Sequence, residues 1–118
     1  MKVDPELNAP RPVFDGDELL ALRPDIAGLA RLEVRNLFNM PSEYMGPEQW
    51  VLLQRAVNAE LAREEVAGVI VSHGTDTMEE SAWFLDLTLD SPKPVVLVGA
   101  QRNASEADFD GPRNLFNA

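Results

Sequence analysis

Hydrophobic and polar positions alternate along this chain in a way that predicts strands and helices in turn. Residues 2–15 carry Pro5, Pro10 and Pro12 among charged and small residues and read as a loop or arm, because proline removes a backbone donor and fixes φ. Asp15 or Gly16 is placed to cap a short helix running to Leu22, which Pro24 would stop. From Arg31 to Phe38, Leu32 and Val34 alternate with Arg31, Glu33 and Arg35, the spacing of a half-exposed strand, and the register weakens after Asn36. Gly46-Pro47-Glu48 opens a helix, since proline is tolerated at the first helical position, and Trp50, Leu53, Val57 and Leu61 follow at helical spacing.

Val66 to Val71 is an apolar run with no polar alternation, which predicts a strand buried on both faces and hence a parallel sheet. A helix is expected over residues 77–89. Thr77-Met-Glu-Glu80 fits a capping box, and Met78, Ala82, Leu85 and Leu89 share a face. Pro92-Lys93-Pro94 ends that helix, Val95–Val98 is a second buried strand, and Gly111-Pro112 opens a last helix. The fold class expected is α/β, a parallel β-α-β sheet with helices on both faces and right-handed crossovers. Both strong strands end in loops on one edge, at Ser72–Thr77 and Gly99–Asp110, and that edge is where α/β proteins carry reactive groups.

Composition narrows the possible partners. At 118 residues the chain is long enough for one domain with a real core. Twenty Asp and Glu against ten Lys and Arg give a net charge of −10, which repels phosphate backbones and anionic lipid, so neither nucleic acid nor a membrane is expected as a partner. The chain has no cysteine, which excludes disulfides, thiolate catalysis and zinc-thiolate sites. His73 is the only histidine, and with no second His or Cys at ligand spacing no metal is expected; it reads as a hydrogen-bonded residue at a strand end. Glu79, Glu80 and Asp86 read as a solvated helix face, and Trp50 and Trp83 as core or interface anchors.

The chemistry is concentrated in Ser72-His-Gly-Thr-Asp-Thr77, where the hydroxyls of Thr75 and Thr77 and the carboxylate of Asp76 stand between a strand and a helix start. Taken alone, Thr and Asp at that position are usually caps. The wider pattern adds more. His73-Gly-Thr-Asp-Thr-Met-Glu-Glu80, Phe84-Leu-Asp86, Lys93-Pro-Val-Val96, Val98-Gly-Ala-Gln-Arg102, Asp110-Gly-Pro112, Asn114-Leu115 and Asn117-Ala118 resemble, in order and spacing, the bacterial-type L-asparaginase and glutaminase-asparaginase family. Ser42-Glu43-Tyr44-Met45 sits where that family has a substrate-binding serine followed by Gln or Glu.

The resemblance implies that Thr75 and Asp76 are catalytic and also bind substrate, Thr75 with its hydroxyl and backbone at the amide being hydrolysed and Asp76 at the substrate's α-ammonium. It implies that Ser42 donates to the α-carboxylate, that Glu43 adds to the ammonium site, and that the Ala100 carbonyl meets the side-chain amide nitrogen. The substrate so implied is L-asparagine, with L-glutamine as the second candidate, no cofactor is needed, and a homo-oligomer, commonly a tetramer in the family, is expected. The chain departs from the family pattern too. Residues 1–118 correspond to part of the N-terminal domain, without the Gly-Gly-Thr-Ile stretch that supplies the attacking threonine, the later catalytic lysine or the C-terminal domain; Lys93 enters a strand at the wrong edge to replace that lysine. The segment alone is therefore expected to be inactive, and the complete enzyme is expected in the cytoplasm. The alternative from another class is a non-catalytic α/β module or a subunit completed by a partner chain, such as an asparaginase-like amidotransferase subunit.

Overall fold

The computed structural model describes residues 14–118 in full, with Lys2–Asp4 and Ala9–Arg11 as backbone only. Of the arm expected over residues 2–15, Pro5 and Pro12 lie outside the described residues. The remainder corrects the expectation: β1 (Lys2–Asp4) and β2 (Ala9–Arg11) pair antiparallel, Val3 opposite Pro10. A two-stranded ladder gives every strand an outer edge, and there a proline removes no ladder bond.

The chain divides into two compact units, one of Met1–Pro41 with Gly99–Asn117 and the other of Ser42–Val98 with Ala118. In the first, α1 (Gly16–Ala21) starts as expected: the Asp15 carboxylate accepts from the Glu18 N–H at 2.9 Å while Glu18 accepts from the Asp15 N–H at 2.9 Å. Arg31–Phe38 does not form the expected strand. Alternation gives a segment two faces but no partner, and among the described residues no ladder is offered here. Leu32, Val34 and Leu37 are 37–39% exposed, and the Asn36 side chain accepts from the Gly16 N–H at 2.8 Å, a side-chain bond in place of a ladder.

The second unit holds the parallel pair. Helix α2 (Pro47–Leu61) begins at Gly46-Pro47 as read, and buries Leu53, Val57 and Leu61, one face at four-residue spacing. It packs against α3 (Met78–Thr88), whose Leu85 is 2% exposed, and Trp50 stacks on Phe84 with ring centroids 6.0 Å apart. Strand β3 (Val69–Ser72) pairs in parallel with β4 (Val95–Val98), from Val69↔Val95 to Ser72↔Val98. With α3 between them this is the β-α-β unit the apolar runs predicted. Burial of β3 on both faces is not met among the described residues, because Ile70 is 44% exposed. Lys93 donates to the Arg63 carbonyl at 2.5 Å, tying the entry of β4 to the chain beyond α2 at the amino edge of the sheet. It serves the fold at the edge away from Ser72 and Val98. The last helix, α4 (Gly111–Asn117), starts at Gly111-Pro112 as expected.

Candidate active site

Because β3 and β4 are parallel and in register, their carboxyl ends emerge together, and the His73 N–H donates to the Val98 carbonyl at 2.9 Å, carrying the ladder one residue beyond Ser72. The chain then turns through Gly74-Thr75-Asp76-Thr77 into α3. The turn is pinned to the short 3₁₀ turn Ser42–Tyr44. Ser42 is 4% exposed; its hydroxyl accepts from the Asp76 N–H at 3.2 Å and donates to Asp76 Oδ2 at 3.4 Å. The Thr77 hydroxyl donates to the Ser42 carbonyl at 2.7 Å. Two segments 34 residues apart in sequence are thus joined around Asp76.

This arrangement corrects the expected capping box. Thr77 is the N-cap of α3, but its side chain makes no cap hydrogen bond, because the hydroxyl is committed to Ser42. Tertiary placement comes at the loss of a local cap, which contributes about 1 kcal/mol when present. Among the described residues the first N–H groups of α3 have no side-chain acceptor, which leaves them suited to meet anionic charge.

Gly74 permits the close approach. A Cβ there would stand 2.6 Å from Ser42 Oγ and 2.9 Å from Ser42 Cβ, and Ser42 is too buried to yield. Gly74→Ala is expected to destabilise the full-length protein by about 1–3 kcal/mol, the scale of overpacking, and to displace Asp76. Thermal unfolding with parallel activity assays checks it; an unchanged midpoint and unchanged kinetics would show that Gly74 is not needed.

His73 holds the turn from the other side, Nδ1 lying 2.6 Å from the Gly74 carbonyl and Nε2 2.8 Å from the fully buried Ser81 hydroxyl. A carbonyl can only accept, so Nδ1 carries a proton and donates. This is the structural histidine the sequence suggested. Thr75 and Asp76 are exposed at the turn, and the Thr75 hydroxyl meets no partner among the described residues. Glu43 is exposed on the 3₁₀ turn beside Ser42. Of the residues read from sequence, the structure brings together Ser42 and Asp76, with Thr75 adjoining in the chain. Ala100, half-buried, belongs to the other unit, on the turn after β4.

Two residues are marked in the sequence only as helix-start and family-motif positions. Asp110 accepts from the Arg102 N–H at 3.0 Å, the Gln101 N–H at 3.3 Å and Asn114 Nδ2 at 3.0 Å, and Asn114 Nδ2 also donates to the Gly99 carbonyl at 2.9 Å. Spacings of eight and nine residues between a side chain and a loop backbone have no periodic signature, so only their occurrence in the family motif marks them out. The Arg102 N–H, foremost, holds the Asp110 carboxyl below its ordinary value of 3.8, with the bonds from Asn114 and Gln101 acting in the same direction and partial desolvation opposing. A depressed carboxylate contributes stability that is present above the unfolded value and lost as pH falls through the depressed one. The turn after β4 is therefore expected to loosen only in acid below 3.8. An NMR titration of the Asp110 carboxyl carbon in the full-length protein should give a midpoint below that value; a midpoint at or above it would show that these bonds do not form in solution.

Among the described residues no group of three or more His, Cys, Asp or Glu side chains could hold a metal, and no helix is long and apolar enough to cross a membrane.

The family model for the asparaginase N-terminal domain matches residues 1–118. The chain belongs to the asparaginase family. It is 44% identical over 102 residues to the "Probable L-asparaginase periplasmic" of Haemophilus influenzae, and 38% identical over 102 residues to L-asparaginase 2 of Escherichia coli; each match covers 86% of this chain and 29% of the relative. A glutamyl-tRNA(Gln) amidotransferase subunit from Methanothermobacter thermautotrophicus is 39% identical over 113 residues, 96% of this chain and 26% of that protein. Among solved structures, that of a "Probable Cytoplasmic L-asparaginase" from Campylobacter jejuni superposes with a TM-score of 0.84 at 44% identity, covering 89% of this chain and 32% of that one. The mixed α/β fold with its parallel pair is thus that of the asparaginase N-terminal domain. The chain spans under a third of the length of these relatives.

Proposed function

We propose that the full-length protein containing this chain is an amidohydrolase that converts L-asparagine to L-aspartate and ammonia, and that the turn Gly74–Thr77 forms part of its active site. The observation that carries this reading is the anchoring of Asp76 by buried Ser42 next to an exposed Thr75, whose hydroxyl has no partner among the described residues, at the carboxyl edge of a parallel pair, in a chain of the asparaginase family. An amino-acid amide presents a fixed cation and a fixed anion. Asp76, acceptor-only when ionised, answers the α-ammonium, and Glu43 adds a second negative charge. The single O–H hydrogen of Ser42 is directed at Asp76 over a long 3.4 Å, so turning it to the substrate's α-carboxylate breaks only a weak bond.

The reaction is divided in two. A threonine hydroxyl attacks the side-chain amide carbon, the C–N bond breaks and ammonia leaves; water then cleaves the acyl-threonine ester and releases aspartate. Thr75 and the first N–H groups of α3 would meet the charge that gathers on the carbonyl oxygen. In the family pattern the attacking threonine comes from the Gly-Gly-Thr-Ile stretch, and Thr75 acts beside it. The Ala100 carbonyl accepts from the side-chain amide nitrogen. Assembly as a homo-oligomer and a cytoplasmic location complete the reading.

Incubating the purified full-length protein with L-asparagine is expected to release ammonia and aspartate in equal amounts. Absence of both would overturn the reading. Ammonia released from glutamine only when a partner chain is added would establish the amidotransferase alternative.

A further inference from the structure

On the foregoing reading of Ala100, we infer that Asp110 and Asn114 form a positioning clamp that sets the direction of the Ala100 carbonyl toward the substrate amide. The clamp holds the two peptide planes that flank the Ala100 Cα. On one side, the Gly99 carbonyl belongs to the 99–100 peptide and accepts from Asn114 Nδ2 at 2.9 Å. On the other, the Gln101 N–H lies in the same peptide plane as the Ala100 carbonyl and donates to Asp110 Oδ2 at 3.3 Å. A trans peptide is planar, with its C=O and N–H pointing in opposite directions. Fixing the Gln101 N–H on Asp110 therefore turns the Ala100 carbonyl away from Asp110.

The clamp is braced internally. The Arg102 N–H donates to the second carboxylate oxygen at 3.0 Å, so both oxygens of Asp110 face consecutive backbone N–H groups. Asn114 Nδ2 bridges Asp110 Oδ2 and the Gly99 carbonyl, both of them acceptors, which fixes the orientation of the amide. Asp110 and Asn114 are themselves set one helical turn apart, the Asn114 N–H donating to the Asp110 carbonyl at 2.9 Å at the start of α4. No donor among the described residues engages the Ala100 carbonyl, which is left to accept from an external N–H. Asp110 and Asn114 act through Ala100 and do not touch the substrate.

The test exploits the fact that a carbonyl can help only a substrate bearing an N–H. L-Asparagine has an amide NH₂; the β-methyl ester of L-aspartate has the same α-groups and a methoxy leaving group without any N–H. Asn114→Ala and the isosteric Asp110→Asn, made in the full-length protein, are expected to lower kcat on asparagine about 3- to 10-fold, the scale of one misdirected hydrogen bond, while methanol release from the ester stays within about twofold of the parent. Thr75→Val should depress both substrates. Equal losses on the two substrates would reduce the clamp to a folding role and overturn the inference, as would unchanged kcat on asparagine in both variants. A parent that hydrolyses neither substrate would overturn the proposed function itself. A parent active on both, with no difference between substrates in the variants, would remove the clamp alone.

Discussion

In the full-length protein, Thr75→Val and Asp76→Ala are each expected to lower kcat/KM for L-asparagine by on the order of 10²-fold or more, the scale of losing a positioned hydrogen-bonding group at the reacting centre. The two losses should have different forms. Valine replaces the threonine hydroxyl at nearly the same volume, and Thr75 is exposed with its hydroxyl free of partners among the described residues, so the fold keeps its contacts and the loss falls on kcat. Asp76→Ala removes the counter-charge for the substrate ammonium and should raise KM as well as lower kcat. Its backbone N–H still donates to Ser42, so the turn keeps one of its two Ser42–Asp76 bonds. Steady-state kinetics on both variants check the pair. Near-parental kcat in Thr75→Val would remove Thr75 from the chemistry, and unchanged KM in Asp76→Ala would remove Asp76 from the ammonium site.

The second large effect concerns substrate choice. Propionamide carries an amide but neither α-substituent, so it leaves Asp76 and Glu43 without a cation and Ser42 without an anion. Truncating one partner of a hydrogen-bonded charge pair costs about 2–5 kcal/mol when the pair is buried. Asp76 is exposed before substrate arrives, and solvent keeps the effect toward the lower end. Discrimination of asparagine over propionamide by about 10²-fold or more in kcat/KM is the expected outcome, at roughly 1.4 kcal/mol per tenfold. Comparable hydrolysis of the two amides would show that no clamp on the α-groups exists.

The parts of this chain that are legible in its sequence are those governed by local periodicity. Leu53, Val57 and Leu61 form the buried stripe their spacing announces, Pro47 starts its helix, and the two valine-rich runs pair in parallel around α3. What escapes depends on contacts distant in the chain. Thr77-Met-Glu-Glu80 satisfies the capping pattern, yet the hydroxyl goes to a carbonyl 35 residues away, because a cap bond and a tertiary bond compete for the same hydrogen. Arg31–Phe38 alternates like a strand and finds no strand to pair with among the described residues. Lys2–Asp4 and Ala9–Arg11 do the reverse, pairing despite Pro10, since a ladder of two strands tolerates a missing donor.

The site divides along the same line. Thr75 and Asp76 are legible as chemistry at the end of a strand, and Ser42 from its place in the family pattern. That Ser42 lies buried behind Asp76, and that Gly74 is kept bare by the approach of Ser42, emerges only in three dimensions. Asp110 and Asn114 extend the point. Each motif fixes residue identity, and folding decides which backbone groups those side chains hold.

The central claim is that the turn after β3 receives the α-ammonium and the side chain of the substrate. A crystal structure of the full-length protein with L-aspartate, the product, tests this most directly. The account predicts the ligand's ammonium nitrogen within hydrogen-bond reach of an Asp76 carboxylate oxygen, about 2.6–3.2 Å, with its side-chain carboxylate beside the Thr75 hydroxyl. Aspartate bound away from Thr75 and Asp76, with this turn empty, would contradict it.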